Sequence, residues 1–518
     1  MISAEAVPLL APSAVADPAP PRGQACSDIA VSTAQTGADP TRISHVRARL
    51  SGHLAWNLGA DLAARGASLW LSFFCARMLG VAGFGRFCFA LAAAQYAWLA
   101  GDAVLNGGYA TRETARDRGA TPKQAELFWT ARLISALVVT ALYLAVTLLV
   151  PGEPATRRTL AAAATFFLAY AAFPDWALRG FEDFRGLALA NVVYAVSLIT
   201  ATLALLPARR DAALAAGLWG GCFVLAALVT LPRLARRGVL RPRPAFSPAA
   251  WWPHARGSSV FALGSVAAIG YTQLPILLAG ALTGPYETGL FSAGFRLLIA
   301  FIGALGIVWW PLMPVLTRES PDSPVFREVL RGSAALVLAL STPVALALTV
   351  FPADLLRLLF GRGYAGGAPA LAIGAWVLPL YALTGLLEQT SLALGGERMR
   401  AGVAWTTLAA MTALALLLMP RFGAAGAAVT SVAGFALALA LYAVRLRARV
   451  RLADLLGPLA RVGGAGGVLA AFWLVAPHLV PLPVWAWLVA GTALYVPLAL
   501  RLGLLRLAPG LTRGGRLR

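Results

Sequence analysis

Charged and amide side chains interrupt the apolar segments of this sequence at the spacing of a helix face. In the first such segment, Asn57, Asp61, Arg65, Ser68 and Ser72 follow one another at intervals of three or four residues. Residues at these intervals lie on one side of an α-helix, and Asp61 and Arg65 are spaced to pair with each other. An ionisable group at the centre of a membrane helix costs about 2.5 to 3.5 kcal/mol, so this line predicts a partner, a hydrated cavity or a function.

Comparable polar positions occur in further segments from both halves of the chain. Gln95, Asp102 and Asn106 lie on one face of the second segment, and Arg132 lies about two turns into the third. The eighth and tenth segments add these positions: Ser292, Arg296, Tyr381, Thr384, Glu388 and Ser391. Polar lines from both halves are what a hydrated cavity between two helical bundles requires. The alternative explanation needs no cavity: two opposite charges on one helix neutralise each other, or a single arginine extends to a lipid headgroup.

The charges predict two kinds of site in this cavity. Its arginines would suit an anionic group such as a diphosphate, because the guanidinium fork matches phosphate oxygens. Its carboxylates would balance charge or bind a coupling ion. The substrate-binding candidates are Arg65, Arg132, Arg296, Asn57, Gln95 and Asn106, and the ion-coupling candidates are Asp61, Asp102 and Glu388.

The composition indicates that these polar positions lie on membrane-spanning helices. Of 518 residues, 59% are hydrophobic and 13% are charged, and the mean hydropathy is +0.74. Apolar stretches of about 20 residues, which cross a hydrocarbon core of ~30 Å as a helix, recur after residue 54. The chain is therefore predicted to be an all-α integral membrane protein.

Fourteen spans are predicted, with both termini in the cytoplasm. The spans lie near 56–79, 87–109, 125–150, 159–179, 187–207, 212–232, 258–282, 289–316, 332–351, 367–393, 401–420, 423–444, 460–480 and 483–505. Basic residues concentrate in the connections on one side, which is the positive-inside pattern and accounts for the net charge of +21 without a nucleic-acid partner. Arg112, Arg116, Arg118 and Lys123 belong to this cytoplasmic anchor.

A repeat divides the chain into two pseudo-symmetric six-helix lobes. LGVAGFGRFCFA after the first span and LTGPYETGLFSAG after the seventh share a Gly-x-Phe motif, at Gly85/Phe87 and Gly289/Phe291. Parallel repeats of this kind occur in secondary transporters, with the substrate site between the halves. The predicted organisation is a disordered cytoplasmic tail (1–50), an N-lobe (51–232), a basic cytoplasmic linker (233–257), a C-lobe (258–447), and two further helices with a basic tail (448–518).

No catalytic or cofactor motif accompanies these helices. The four cysteines lie far apart and the four histidines have no HExxH spacing, so neither a disulfide framework nor a metal site is expected. The only lysine, Lys123, has no Walker A loop around it, and no cofactor is predicted. The acidic pair Glu182 and Asp183 is expected to form a solvated turn rather than a catalytic dyad.

Four stretches carry a family resemblance through their order and spacing. They are ARMLGVAGFGRFCFALA (76–92), GDAVLNGGYATRETAR (101–116), LLRLLFGRGYAGGAPALAI (355–373) and LMPRFGAAGAAVTS (418–431). Together they resemble the polysaccharide-export flippases of the multidrug/oligosaccharidyl-lipid/polysaccharide exporter superfamily over residues 54–505. The resemblance implies two six-helix lobes around a cavity open to one side at a time, followed by two extra helices. It also implies that Arg65, Arg132 and Arg296 meet the diphosphate or acidic sugars of a polyprenyl-linked substrate.

The leading hypothesis is a non-enzymatic flippase that moves a polyprenyl-diphosphate-linked oligosaccharide from the cytoplasmic to the outer leaflet of a bacterial inner membrane. The expected partners are this glycan, membrane lipids and polysaccharide assembly proteins. Three alternatives stay open: a lipid-linked peptidoglycan-precursor flippase, a cation-coupled multidrug exporter, and a membrane polysaccharide polymerase. The polymerase would need a larger extramembrane loop than the sequence provides.

Overall fold

The computed structural model describes residues 40–116, 122–149, 152–238, 240, 245, 247–309, 312–480 and 482–504. The chain divides into residues 1–55, whose described part is helical from Pro40, and residues 56–518, which contain every contact discussed below. The side chains of Asn57, Asp61 and Arg65 lie outside the described part. The roles assigned to these three residues therefore stay predictions.

The first half of the chain is a series of helices joined by short turns. In order they are α1 (Pro40–Val104), α2 (Gly107–Arg116), α3 (Pro122–Leu149), α4 (Pro154–Ala163), α5 (Thr165–Ala172), α6 (Asp175–Gly180), α7 (Phe184–Arg209), α8 (Ala212–Gly221) and α9 (Phe223–Arg236). Helices α4 to α6 follow one another as a single apolar segment, Pro154–Gly180, that is long enough to cross a membrane. The proline at the start of α4 sits where its missing N–H costs nothing.

The second half continues in the same way. Its helices are α10 (Pro248–Leu282), α11 (Pro285–Trp309), α12 (Leu312–Arg318), α13 (Pro324–Val350), α14 (Pro352–Leu359), α15 (Ala368–Gly374), α16 (Val377–Ala393), α17 (Glu397–Leu446), α18 (Leu456–Leu479) and α19 (Val484–Arg501). Short 3₁₀ turns occupy Arg362–Gly367 and Leu452–Leu455. Helix α10 begins at Pro248, so the last part of the predicted linker is helical.

The two longest helices each contain one glycine that breaks the helical path. Gly80 in α1 has φ 68° and Gly423 in α17 has φ 53°. Only glycine adopts this left-handed region without a Cβ penalty. Gly80 falls between the first and second predicted spans, and Gly423 is the first residue of the twelfth, directly after a predicted turn.

The predicted fold class is confirmed. Among the described residues there is no strand, and ten helices are long and apolar enough to cross a membrane. Large apolar side chains stand on the outer surface, such as Leu149 at 81% exposed and Leu479 at 75%. A bilayer would cover such a surface. The exact count of fourteen spans stays a prediction.

The second predicted span ends earlier than the sequence analysis expects. Helix α1 stops at Val104 rather than near residue 109, and Asn106 lies in the break before α2. The side-chain oxygen of Asn106 accepts hydrogen bonds from the N–H groups of Gly108 (2.9 Å) and Tyr109 (3.4 Å). Asn106 is therefore a helix cap, for which a short amide side chain is well suited.

The expectation of a solvated turn at Glu182 and Asp183 is wrong for Asp183. Asp183 is buried, its carboxylate accepts hydrogen bonds from Arg233 Nε (2.7 Å) and Gly186 N–H (3.1 Å), and Arg237 lies 3.0 Å away. This side chain ties the start of α7 to the end of α9. The pair of arginines that it binds is far away in sequence, so the local pattern does not reveal it.

Replacing Asp183 should remove acid-sensitive stability. Burial alone would raise the pKa of Asp183, but hydrogen bonds from Arg233 and Gly186 hold it below its ordinary value. The stabilisation is fully present above about pH 4 and is lost as the pH falls through the lower folded value. We expect Asp183→Asn to lower the free energy of unfolding by about 2 to 4 kcal/mol at neutral pH.

Melting curves of the detergent-solubilised protein between about pH 3 and pH 7 measure this effect. The parent should lose stability toward acid, whereas the Asn variant should start lower and change less. Glu182→Gln, at the exposed neighbouring position, is the control and should keep the parent profile. Identical acid profiles for parent and Asp183→Asn would contradict the assignment.

Candidate functional site

The two copies of the repeat motif pack directly against each other. A Cβ on Gly85 of α1 would overlap the carbonyl oxygen of Pro285 and lie 2.7 Å from the backbone nitrogen of Gly289 in α11. A Cβ on Gly289 would in turn overlap the carbonyl oxygen of Val81. The two helices therefore cross backbone to backbone, which glycines permit in membrane proteins. We call this contact the glycine crossing.

Hydrogen bonds surround the glycine crossing and join the same two halves. The Tyr364 hydroxyl donates to the carbonyl oxygen of Ala76 at 2.9 Å. The Arg77 guanidinium donates to the carbonyl oxygens of Leu359 (3.1 Å) and Leu358 (2.6 Å). These contacts join the predicted N-lobe and C-lobe near the turn of α1 at Gly80.

Amide side chains connect the halves farther along α1. Gln273 of α10 donates from Nε2 to Gln95 Oε1 at 3.0 Å, and the Tyr96 hydroxyl donates to the carbonyl oxygen of Gly270 at 3.3 Å. The structure therefore places Gln95 at the boundary between the lobes, where the sequence analysis expects the cavity. The sequence analysis does not predict its partner Gln273. Gln273 carries the same signal as Gln95, an amide side chain within an apolar helix.

Arg296 lies at the same boundary and has no counter-ion among the described residues. Its one hydrogen-bond contact there is from Nη2 to Cys88 Sγ, at 4.0 Å, and its Nε is buried without a partner. Cys88 is 1% exposed, and the buried Ser292 hydroxyl, one turn away on α11, lies beside the same thiol. A guanidinium beside a thiol and a hydroxyl is a donor-rich surface that an anionic group would satisfy.

Arg132 occupies a different place, inside the N-lobe. Its side chain is 1% exposed, and its Nη1 lies 3.2 Å from Asp175 Oδ1. The guanidinium carbon also lies 5.6 Å from the ring centre of Trp98 and 5.3 Å from that of Tyr170, so it stacks against aromatic faces. Arg132 therefore has a carboxylate partner and two aromatic neighbours within its own half of the chain, although its Nε is buried without a hydrogen-bond partner among the described residues.

A cavity of about 350 Å³ adjoins this arginine. It is lined by Asp102, Asn106, Gly107, Gly108, Thr111, Arg132, Tyr170, Asp175 and Arg179. We call it the N-lobe pocket. It brings together three predicted residues, Asp102, Asn106 and Arg132, and adds Asp175, which the sequence analysis missed.

The N-lobe pocket is connected to α10 through Asn106. The side-chain amide of Asn106 donates to Asp102 Oδ2 at 3.1 Å, and its backbone N–H donates to Ser258 Oγ at 2.6 Å. Next to this contact, the Tyr109 hydroxyl lies 3.1 Å from His254 Nδ1. The start of α2 is thus fastened to the start of α10 by two polar contacts.

Glu388 lies apart from the other candidates, within the C-lobe. Its Oε1 accepts a hydrogen bond from Arg400 Nε at 2.6 Å, which joins α16 to α17. Thr384 on the same line donates to the carbonyl oxygen of Phe435 at 3.4 Å, and Tyr381 packs its ring against Phe435. The polar line on α16 therefore packs against α17 within one lobe.

The predicted candidates thus separate into three places. Gln95 and Arg296 lie between the lobes, while Asp102, Asn106 and Arg132 line the N-lobe pocket, and Glu388 pairs within the C-lobe. The part of the chain that the structure describes contains no group of three or more metal-ligating side chains. Asp175 lies within the fourth predicted span (159–179), and no neighbouring polar line on that span marks it as a site residue.

Comparisons with known proteins agree with this architecture. A family model described as "Polysaccharide biosynthesis protein" matches residues 53–318, just over half of the chain. A comparison with curated proteins finds no match. The structure is similar to "Lipid II flippase MurJ, inward closed conformation", with a TM-score of 0.65 and 10% identity over 86% of this chain and 97% of that chain.

A second solved structure shares the fold. It is an inward-facing multidrug resistance MATE family transporter of the MOP superfamily, with a TM-score of 0.56 and 15% identity over 75% of this chain and 94% of that chain. Identities this low indicate a common fold and leave the substrate open.

Proposed function

The chain belongs to the polysaccharide biosynthesis protein family, and on this premise we propose that it is a flippase for a polyprenyl-diphosphate-linked oligosaccharide. It moves this lipid from the cytoplasmic to the outer leaflet of a bacterial inner membrane, with both of its termini in the cytoplasm. The family match over residues 53–318 is the observation that carries the proposal. The two-lobed transporter fold supports it, because two packed lobes allow a site to open to one side at a time.

Arg296 is the proposed contact for the diphosphate. It is the predicted cavity arginine that lies between the lobes without a carboxylate partner among the described residues. A fixed positive charge in a low-dielectric boundary favours an anionic group far more than it would in water. The Ser292 hydroxyl, one turn away on α11, supplies a neutral donor for sugar or phosphate oxygens, and the Gln95–Gln273 pair supplies amides where the two halves of the chain meet.

The glycine crossing is the proposed gate. Because it holds the lobes together backbone to backbone at one end, this end must separate when the site opens there. The polar contacts of Tyr364 and Arg77 are of the kind that exchange with water at modest net cost. Alternating access then requires the crossing to form and to part in each cycle.

A lipid-linked peptidoglycan-precursor flippase is the second candidate. One observation favours it, the similarity in fold to a lipid II flippase. Both candidates share a polyprenyl diphosphate and differ in the glycan, so the same cavity chemistry serves either. A cation-coupled multidrug exporter shares the fold as well, but the family match to polysaccharide biosynthesis supports a glycan substrate.

The proposal is tested by deleting the gene and locating the lipid-linked glycan. A membrane-impermeant sugar-modifying reagent is applied to intact and to opened cells. Accumulation of complete lipid-linked glycan on the cytoplasmic side, with synthesis intact, is the expected result. Accumulation of single repeat units on the outer side would indicate a polymerase instead. Lethality with stranded peptidoglycan precursor would select the second candidate, and normal export of all glycans would overturn both.

A further inference from the structure

Four exposed arginines mark the ends of two helices in the N-lobe. Arg157 and Arg158 lie in the first turns of α4, while Arg209 ends α7 and Arg210 follows it directly before α8. We call these four residues the arginine patch. With both termini in the cytoplasm, as proposed above, the two short connections that carry the patch face outward. The positive-inside pattern does not account for basic residues on that side.

Helices α4 and α8 run side by side in the same direction, which brings the two pairs of arginines together. A Cβ on Gly217 of α8 would lie 3.9 Å from the Cβ of Ala162 in α4, and the Thr165 hydroxyl donates to the carbonyl oxygen of Gly217 at 3.2 Å. One turn later, a Cβ on Gly220 would come too close to the backbone nitrogen of Phe166. These contacts advance together along both segments, so the first turns of the two helices are neighbours.

The arginine patch carries an excess of positive charge. Apart from Arg157, its members make no hydrogen bond or ion pair through their side chains with any residue that the structure describes. The two carboxylates nearest in the chain have other contacts. Glu153 pairs with Arg86, and Asp211 accepts a hydrogen bond from the Ala213 N–H at 3.0 Å. Four guanidinium groups thus face a single carboxylate, that of Asp211.

Arg210 occupies a backbone position that favours glycine. Its φ is 45°, and its N–H donates to the carbonyl oxygen of Leu206 at 2.8 Å, which closes the end of α7. Glycine is the usual residue in this left-handed position after a helix, because a Cβ is disfavoured there. An arginine at this position costs backbone energy, and such a cost is typical of residues whose side chains have a function.

The surroundings of the patch favour a lipid that carries phosphate. Guanidinium forks match phosphate oxygens. The patch lies at the ends of segments that are long and apolar enough to cross a membrane, which is the level of the lipid headgroups. Leu203 and Leu205, one to two turns before the end of α7, are exposed and would contact hydrocarbon chains. A soluble polyanion would use the charges of the patch but not these leucines.

We propose that the arginine patch is a docking site for the diphosphate of a polyprenyl-linked glycan that has left the transport path on the outer side. This inference rests on the proposed flippase function. Two adjacent phosphates need several donors, which four guanidinium groups supply, whereas a common phospholipid presents a single phosphate. The patch also adjoins the gate. Glu153, the residue before α4, pairs with Arg86, which directly follows Gly85 of the glycine crossing.

Binding of a fluorescent polyprenyl diphosphate to the full-length protein in detergent micelles tests the proposal. Every protein carries Arg296→Ala, so that the proposed transport site does not contribute. Arg209→Gln with Arg210→Gln should bind at least about tenfold more weakly. Arg185→Gln with Arg236→Gln is the matched control and should bind like the background protein, because these exposed arginines lie at the opposite ends of α7 and α9. Arg210→Gly should weaken binding without lowering the melting temperature, since glycine fits this backbone position.

Unlabelled competitors test the two parts of the assignment. Polyprenyl monophosphate, phosphatidylglycerol and inorganic diphosphate should each displace the probe at least about tenfold less well than polyprenyl diphosphate. Equal displacement by phosphatidylglycerol or by the monophosphate would indicate a general surface for anionic lipids, and equal displacement by inorganic diphosphate would indicate a site for free anions. Either result would overturn the proposal, as would equal binding by the Arg209/Arg210 and Arg185/Arg236 variants. Because nothing is transported in this measurement, its failure leaves the flippase proposal to be decided by the leaflet assay.

Discussion

The Gly85→Ala variant should lose most of its translocation activity, although it adds a single methyl group. Alanine normally stabilises a helix relative to glycine by about 1 kcal/mol. At this position its Cβ would overlap the carbonyl oxygen of Pro285, which is backbone and has no other rotamer to adopt. The lobes must therefore stay apart at this end or strain the start of α11.

The expected magnitude follows from the cost of overpacking. An extra methyl in a close-packed contact costs about 1 to 3 kcal/mol, and a bias of that size changes the ratio of closed to open lobes by roughly 5 to 150-fold. A transporter that cannot close one end cannot complete its cycle. We therefore expect translocation to fall at least tenfold while the amount of folded protein in the membrane is unchanged.

The matched control is Gly363→Ala at the same lobe boundary. A Cβ on Gly363 would lie 3.5 Å from Val81 Cγ2, which is an ordinary van der Waals contact. Both variants are examined with Arg77→Cys and Leu358→Cys and with a bifunctional thiol reagent, because the Arg77 guanidinium donates to the backbone carbonyl oxygen of Leu358 across the closed end. Gly85→Ala should cross-link poorly and Gly363→Ala should cross-link like the parent. Equal cross-linking and equal transport in the two variants would contradict a gate at the glycine crossing.

The importance of this crossing was partly readable from the sequence. The repeated Gly-x-Phe motif at Gly85 and Gly289 predicts two equivalent positions in two lobes, and the family match confirms the resemblance that these stretches carry. The motif does not show that the two glycines meet. That contact depends on how two helices rotate about their axes, which is set by packing between segments that are distant in sequence.

The polar candidates show the same limit more sharply. The helical period and the composition identify Asp102, Arg132 and Glu388 as polar residues within apolar helices. They do not identify the residues with which these three side chains interact. The sequence predicts that Arg132 binds substrate in a cavity between the lobes. The structure places its guanidinium 3.2 Å from Asp175, and the substrate role stays a prediction. A helical period gives the face on which a side chain lies and not the neighbour that this face meets.

The ends of helices are the least accurate part of the prediction, and the end of α1 changes the role of Asn106. The helical period predicts Asn106 on a polar face of the second span, whereas in the structure it caps α2 and its backbone N–H donates to Ser258. Asparagine is common in both settings, and the Gly-Gly pair that follows it is the signal that favours a break. Reading Asn-Gly-Gly as a turn would have placed the end of α1 correctly.

The final prediction concerns Arg296 and Arg132, two of the predicted cavity arginines, because substitutions at these positions should have opposite consequences. Arg296→Ala should reduce translocation at least about tenfold, the loss expected when a charge-assisted contact worth about 1.5 to 3 kcal/mol is removed. It should leave the melting temperature unchanged or higher, since no carboxylate among the described residues loses its partner. Arg132→Ala should instead destabilise the protein by about 3 to 5 kcal/mol, because it removes the buried partner of Asp175 and leaves this carboxylate with the exposed Arg179 alone, 3.9 Å away.

Melting curves and the leaflet assay on the same preparations separate these outcomes. The double variant Arg132→Leu with Asp175→Leu should recover part of the stability lost in Arg132→Ala, because replacing both partners of a buried pair leaves no orphan charge. Arg296→Lys keeps the positive charge but loses the fork, so it should retain more transport than Arg296→Ala. If Arg296→Ala melts early and Arg132→Ala melts normally, the assignment of Arg296 to the substrate and Arg132 to the fold is reversed.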